Sequence, residues 1–79
     1  MKKLTIDLHG MTAAEARSAL LKILKSCPAD TAEIEVIHGC HSGQTLLNMV
    51  RSFSHPKISR KILGLNNGMT VFVLKQQLK

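Results

Sequence analysis

The feature that most constrains the fold of this chain is a His-Gly pair that closes two short apolar segments. The first segment is Ile6-Asp7-Leu8-His9-Gly10, and the second is Val36-Ile37-His38-Gly39. A helix-start signal follows each pair within a few residues, so each pair is predicted to lie in a turn from a strand to a helix. If the two strands are parallel neighbours, both turns emerge at one edge of the sheet, where two imidazoles and two helix N-termini meet.

The first unit combines a half-buried strand with a capped helix. Residues 4–8 alternate between apolar and polar side chains, which is typical of a strand with one buried face. Thr12 and Glu15 have the spacing of a capping box, in which the threonine caps one backbone amide and the glutamate reaches back to another. Apolar residues then recur at helical spacing until Pro28, which is predicted to end the helix.

The rest of the chain is predicted to form a strand, a helix and a hairpin. The second strand covers about residues 32–38, and the next helix ends before Pro56. Two further strands, at about residues 58–63 and 69–74, flank Asn66-Asn67-Gly68, a strong hairpin signal. The order is β-α-β-α-β-β, and a right-handed crossover makes the first two strands parallel and puts both helices on one face. These elements predict an α+β fold.

Length, composition and charge indicate one small globular domain with an anionic partner. We expect a single domain over residues 1–79, because this length leaves no room for a second core. No apolar run approaches the roughly 18–20 residues that span a bilayer, so a cytoplasmic location without a membrane partner is expected. The net charge of +6 favours nucleic acid, then acidic protein or lipid surfaces, although a merely soluble basic domain is the alternative. Only two phenylalanines are present, which disfavours base stacking on aromatic side chains.

Three motifs give the chain a resemblance to a known family. Residues 6–10 with Thr12 resemble the Leu-Asp-Leu-His-Gly-x-Thr signature of the small MutS-related (Smr) domain, with isoleucine at its first position. Residues 38–39 and Gly43 resemble the family's His-Gly-x-Gly-x-Gly turn, in which histidine here replaces the middle glycine. Residues 68–74 resemble its closing Gly-x-Thr-x-Val strand. The similarity covers essentially the whole chain in the right order.

The resemblance implies both a fold and a class of function. The implied fold is a two-layer α/β sandwich like the C-terminal domain of translation initiation factor 3, with a four-stranded mixed sheet in the order 1-2-4-3. The implied role involves nucleic acid, because Smr domains are associated with nicking of structured DNA or cleavage of RNA. Such domains also occur at the end of MutS-type proteins and in factors that act on stalled ribosomes. This chain would be a free-standing short form.

A site that cleaves phosphodiesters is the most concrete chemistry at the two turns, with Asp7, His9 and His38 as the catalytic residues. Asp7 and His9 lie two apart on a strand, so they share a face and Asp7 could orient His9. One of the two histidines would take a proton from a 2′-hydroxyl or a water, and the other would protonate the leaving oxygen. The alternative is structural, because glycine permits the bend and histidine caps it.

Backbone amides at the second turn and nearby cations would bind the phosphate groups. The predicted phosphate- and nucleic-acid-binding residues are Gly10, Gly39, His41, Ser42, Gly43, Arg51, Arg60 and Lys61. Ser42 is also the predicted N-cap of the second helix. Arg60 and Lys61 are neighbours on one strand, so their side chains leave opposite faces and at most one joins a given surface.

No metal or other cofactor is expected as a permanent part of the site. Four side chains near the turns are plausible zinc ligands, namely His9, His38, Cys40 and His41. Their spacing matches no established zinc pattern. A Mg²⁺ or Mn²⁺ site on Asp7 lacks a second carboxylate and would need ligands from substrate phosphate.

The sequence therefore predicts a domain that binds structured nucleic acid, RNA in preference to branched DNA, and that cleaves or nicks it as an endonuclease. One alternative is a non-catalytic adaptor that binds nucleic acid or the ribosome. Another is a metal- or thiol-dependent switch that uses Cys40 and its neighbours.

Overall fold

The computed structural model describes residues 2–39, 45–66 and 68–75, and for residues 64–66 it describes the backbone. The elements along the chain are β1 (Lys2–Asp7), α1 (Ala13–Ser26), β2 (Thr31–Ile37), α2 (Thr45–Ser52), β3 (Ile58–Asn66) and β4 (Met69–Leu74). The predicted order β-α-β-α-β-β is confirmed. The main difference is at β3, which continues three residues beyond the predicted end and so reaches the hairpin turn.

The strands form one mixed sheet in the order β1-β2-β4-β3. β1 and β2 are parallel, as a right-handed crossover requires, whereas β4 is antiparallel to both of its neighbours. The sheet order and the α+β class implied by the resemblance are therefore confirmed. Because β4 lies between β2 and β3, the last strand in the sequence occupies a central position in the sheet.

The apolar core lies between one face of the sheet and the two helices. Ile34 of β2 pairs with Phe72 of β4, and both side chains are fully buried. Phe53 follows α2 and stacks on Phe72, with ring centroids 6.0 Å apart. Full burial of a side chain of this size contributes about 1.5–3 kcal/mol. The buried cluster consists of Leu8, Ala16, Leu20, Leu24, Ile34, Val36, Leu46, Val50, Phe53, Phe72 and Leu74.

The start of α1 is the predicted capping box. The Glu15 backbone amide donates to Thr12 Oγ1 at 3.1 Å, and the Thr12 backbone amide donates to Glu15 Oε1 at 2.9 Å. Such a cap contributes about 1 kcal/mol and fixes the point at which the chain enters the helix. The helix ends at Ser26, shortly before Pro28 as predicted. No helix among the described residues is long and apolar enough to cross a bilayer.

The second face of the sheet is exposed at β1 but covered at β4. Thr5 and Asp7 are exposed, as predicted for this face. Val71 lies on the same face and is nevertheless 3% exposed. Its strand is central, so Glu35 of β2 and Ile62 of β3 flank it on both sides.

Candidate nucleic-acid interface

Three turn segments meet at one edge of the sheet. A row of paired residues crosses the sheet from the last residue of β1 through β2 and β4 to the last residue of β3. The His9-Gly10 turn follows β1, the His38-Gly39 turn follows β2, and Gly68 precedes β4. The expectation that both His-Gly turns emerge at one sheet edge agrees with this topology. We call residues 7–10, 38–39 and 68–70 the twin-turn edge.

The backbone of the two turns requires glycine at two positions. Gly10 has a φ of +86° and Gly39 a φ of +76°, in the left-handed region that favours glycine. A Cβ on Gly39 would lie 3.6 Å from Cδ2 of His9, so the His9 imidazole lies over Gly39 with room for about one methyl group between them. A Cβ on Gly68 would lie 3.5 Å from the Gly39 Cα. All three turn segments are therefore in contact.

His9 is the exposed histidine of this edge. Its imidazole has no hydrogen-bond partner in the described part of the chain. Its backbone amide donates to Oδ1 of Asp7 at 3.0 Å. The structure thus differs from the prediction that Asp7 orients the His9 ring directly. The reason is that β1 ends at Asp7, so the alternation of a strand no longer applies at His9 and the carboxylate meets the turn backbone instead.

His38, in contrast, is 1% exposed and both of its ring nitrogens are engaged. Nδ1 lies 3.2 Å from the Gly39 carbonyl oxygen, and Nε2 lies 3.1 Å from Oγ1 of Thr70. Because a carbonyl only accepts, we assign the proton to Nδ1, and Nε2 then accepts from the Thr70 hydroxyl. This burial disagrees with the prediction that His38 exchanges protons with a substrate. The residue follows a central strand, and its neighbours cover it.

The Gly39 amide is also unavailable to a phosphate group, contrary to prediction. The backbone amides of His38 and Gly39 both donate to the Gly68 carbonyl, at 2.9 and 3.1 Å. The Gly10 amide has no partner within the ranges that the structure describes. Four residues of the second turn lie outside those ranges, so their predicted roles stay predictions: Cys40, His41, Ser42 and Gly43.

The predicted basic contacts lie far from the twin-turn edge. Lys61 lies on β3, the edge strand on the opposite side of the sheet from β1, and it pairs with Phe72 of β4. Strands lie about 4.8 Å apart and rise about 3.3 Å per residue, so three strand spacings and three residues put Lys61 about 17 Å from Asp7. Arg60 pairs with Val73, so the side chains of Arg60 and Lys61 leave opposite faces as predicted. Arg51 lies in the last turn of α2, near Lys61.

Gly68 and Thr70 are site residues that the sequence interpretation missed. The Gly68 carbonyl accepts two amide hydrogens from the second turn. The Thr70 hydroxyl holds the buried His38 ring, and Thr70 is itself 2% exposed. The signal was the Gly-x-Thr of the closing motif, which was interpreted only as part of a strand.

The described residues contain no group of three or more His, Cys, Asp or Glu side chains that could hold a metal ion. Two of the four candidate zinc ligands, Cys40 and His41, lie outside the described ranges. A third, His38, has both nitrogens in hydrogen bonds. The Asp7 carboxylate accepts the His9 amide.

Known proteins resemble this chain in both sequence and fold. The family model described as "Smr domain" matches residues 6–71. The fold is similar to the crystal structure of the Smr domain of Thermus thermophilus MutS2, with a TM-score of 0.80 and 22% identity. That similarity covers 90% of this chain and 96% of the other. No curated protein matches.

The family match agrees with the motifs at the twin-turn edge and spans most of the chain. Smr domains are known in general for nucleic-acid binding and endonuclease roles. The structural similarity, at 22% identity, supports the fold. On the strength of the matched residues 6–71, this chain belongs to the Smr domain family.

Proposed function

We propose that this chain binds structured RNA, in preference to DNA, at the twin-turn edge and cleaves it there. The observation that carries the proposal is the position of His9, whose exposed ring rests on Gly39 and has no hydrogen-bond partner among the described residues. A ring that is supported on one side and has free nitrogens suits a general base. The net charge of +6 favours an anionic partner. Phe53 and Phe72 are both buried, which favours phosphate contacts over stacking.

In the proposed reaction, His9 accepts the proton of a ribose 2′-hydroxyl. The bond between O2′ and phosphorus forms while the bond between phosphorus and O5′ breaks, which leaves a 2′,3′-cyclic phosphate. Water protonates the departing 5′-oxygen. The unpartnered Gly10 amide would donate to a non-bridging oxygen as charge develops. This reaction cleaves RNA and not DNA, because DNA lacks the attacking 2′-hydroxyl.

Asp7 and His38 are positioning residues in this proposal. Asp7 holds the turn backbone through its 3.0 Å hydrogen bond with the His9 amide. His38, held by Thr70, donates to the carbonyl of Gly39, the residue on which the His9 ring packs. Neither side chain needs to touch the substrate for these roles.

A second candidate function is a non-catalytic adaptor that binds nucleic acid or the ribosome through the same edge. The burial of His38 favours the adaptor. Phosphodiester cleavage benefits from both a general acid and a general base, and a buried His38 does not reach the substrate as the second of these groups. His9 is the one exposed imidazole among the described residues of the twin-turn edge.

The decisive experiment incubates the protein with a labelled RNA hairpin and with branched DNA, with and without EDTA. We expect EDTA-insensitive cleavage of the RNA. The His9→Ala variant should cleave about 10²-fold more slowly or worse, as loss of a general base predicts. Lys22→Ala is the control, because Lys22 is exposed on α1, outside the twin-turn edge, and its loss should leave cleavage close to that of the wild type.

The products and a modified substrate separate the two candidate functions. Cleavage should yield a 2′,3′-cyclic phosphate, and an RNA hairpin with 2′-O-methyl groups should be bound but left intact. Intact RNA with normal binding would support the adaptor instead. Binding of neither RNA nor DNA would contradict both functions.

A further inference from the structure

The entire net charge of the chain comes from its second half. Residues 1–35 contain five Lys and Arg residues and five Asp and Glu residues, whereas residues 36–79 contain six Lys and Arg residues and no Asp or Glu. Within the described ranges, the ion pairs join Lys3 to Glu33 and Glu35. The described cations of α2 and β3 therefore have no carboxylate partner in this part of the structure.

Several of these cations surround a cavity between the end of α2 and the start of β3. Its volume is about 280 Å³. Phe53 closes its inner side, and Arg51 lies next to it at the end of α2. Arg60 and Lys61 both line the cavity, although their side chains leave opposite faces of β3, because β3 is the edge strand of the sheet. The expectation that at most one of the two joins a given surface therefore does not hold at this edge. We define the α2–β3 basic surface as Arg51 together with five residues that line the cavity, namely Ser54, His55, Ser59, Arg60 and Lys61.

The surface presents hydrogen-bond donors beside its charges. Nδ1 of His55 accepts from the Lys57 backbone amide at 3.1 Å, so the proton of the neutral ring lies on Nε2. That N–H group has no partner in the described ranges, and neither do the hydroxyls of Ser54 and Ser59. Cations together with N–H and O–H donors are the groups that bind phosphate oxygens.

Lys61 supplies a fixed charge at this surface. Its Nζ donates to the Arg51 carbonyl at 2.6 Å and lies 5.8 Å from the centroid of the Phe72 ring. Burial lowers the pKa of Lys61, because the ammonium is partly withdrawn from water. An anion bound nearby would offset this cost of desolvation.

We propose that the α2–β3 basic surface is a second phosphate-binding surface, and that one nucleic acid contacts it together with the twin-turn edge. This inference rests on the proposed function. Lys61 lies about 17 Å from Asp7, as three strand spacings and three residues require. The phosphates of one strand follow each other about every 3.4 Å along the axis of a DNA duplex and more closely in an RNA duplex, so a stem must have at least about five base pairs to contact both surfaces. A mononucleotide is too short for this span, and the substrate class that the proposal names is a stem.

The test measures binding of RNA hairpins with stems of twelve and four base pairs. We compare the wild type with the double variant Arg51→Gln/Arg60→Gln. Lys22→Gln/Lys25→Gln is the matched control, because these exposed lysines on α1 carry the same charge and do not line the cavity. Nuclease activity is blocked with 2′-O-methyl RNA, so that only binding is observed.

We expect the arginine variant to bind the twelve-base-pair stem about tenfold or more weakly, and to lower the slope of log K against log salt by about 2, since each phosphate contact contributes about 0.9. The lysine control should bind close to the wild type. Both double variants and the wild type should bind the four-base-pair stem alike.

Equal weakening by the two double variants would overturn the second surface, because total charge alone would then explain the loss. Normal binding of the long stem by the arginine variant would also overturn it. If His9→Ala still loses cleavage in that case, the proposed function stands while the second surface falls. A wild type that binds neither stem would contradict both proposals.

Discussion

At the scale of single residues, a series of contacts links a buried hydroxyl to an exposed imidazole. The Thr70 hydroxyl donates to His38, the other nitrogen of His38 donates to the Gly39 carbonyl, and the Gly39 backbone supports the His9 ring. The carbonyl of Gly68 accepts hydrogen bonds from the backbone amides of His38 and Gly39. A substitution at Thr70 should therefore alter the position of the His9 ring.

Thr70→Val tests this series, because it removes the hydroxyl and keeps the shape of the side chain. The Nε2 of His38 would remain buried without a partner, at a cost of about 1–3 kcal/mol in the free energy of unfolding. Chemical denaturation measures this cost. The control is Thr70→Ser, which retains the hydroxyl. If the valine and serine variants are equally stable, the hydrogen bond to His38 does not stabilise the fold.

At the scale of elements, local signals in the sequence were sufficient for the helices and strands. The capping box of Thr12 and Glu15 needs only residues three apart, so it could be predicted from spacing. The burial of His38 could not, because it depends on Thr70, which is 32 residues away in the sequence. The distance of Lys61 from the twin-turn edge likewise depends on β3 being an edge strand. Contacts between elements, and not the elements themselves, limited the prediction of the site.

The junction of α2 and β3 should show a dependence of stability on pH that comes from Lys61. Its pKa lies below the usual 10.5 in the folded protein, so above this lowered pKa the unfolded chain holds more protons and stability rises with pH. Lys61→Met removes this dependence. We expect the difference in free energy of unfolding, wild type minus variant, to shift in favour of the wild type as the pH rises from the lowered pKa of Lys61 toward 10.5.

Denaturation at each pH measures that difference. Lys22→Met is the control, because the Lys22 ammonium is exposed and not bound to a helix end. If the difference between the wild type and Lys61→Met does not change with pH, the Lys61 ammonium loses no hydration when the protein folds.

At the scale of the whole molecule, the separation of charge along the chain should control affinity. The six Lys and Arg residues of the second half would displace counterions from a nucleic acid, so binding should weaken steeply with salt. With several phosphates neutralised, affinity for an RNA stem should fall by orders of magnitude between about 50 and about 200 mM salt. Fluorescence anisotropy measures this, with KCl and potassium glutamate compared. Affinity that does not change with salt would contradict recognition through phosphates.

The central position of β4 has a consequence for the timing of function during synthesis. β4 is the last of the described elements to leave the ribosome, yet it must enter the sheet between β2 and β3. Until it does, the nascent chain has neither the Gly68 carbonyl nor the Thr70 hydroxyl that hold the second turn. A partly synthesised chain can therefore carry His9 without a surface to support its ring. The proposed cleavage of RNA would therefore require the complete sheet, and we expect none from a nascent chain that still lacks β4.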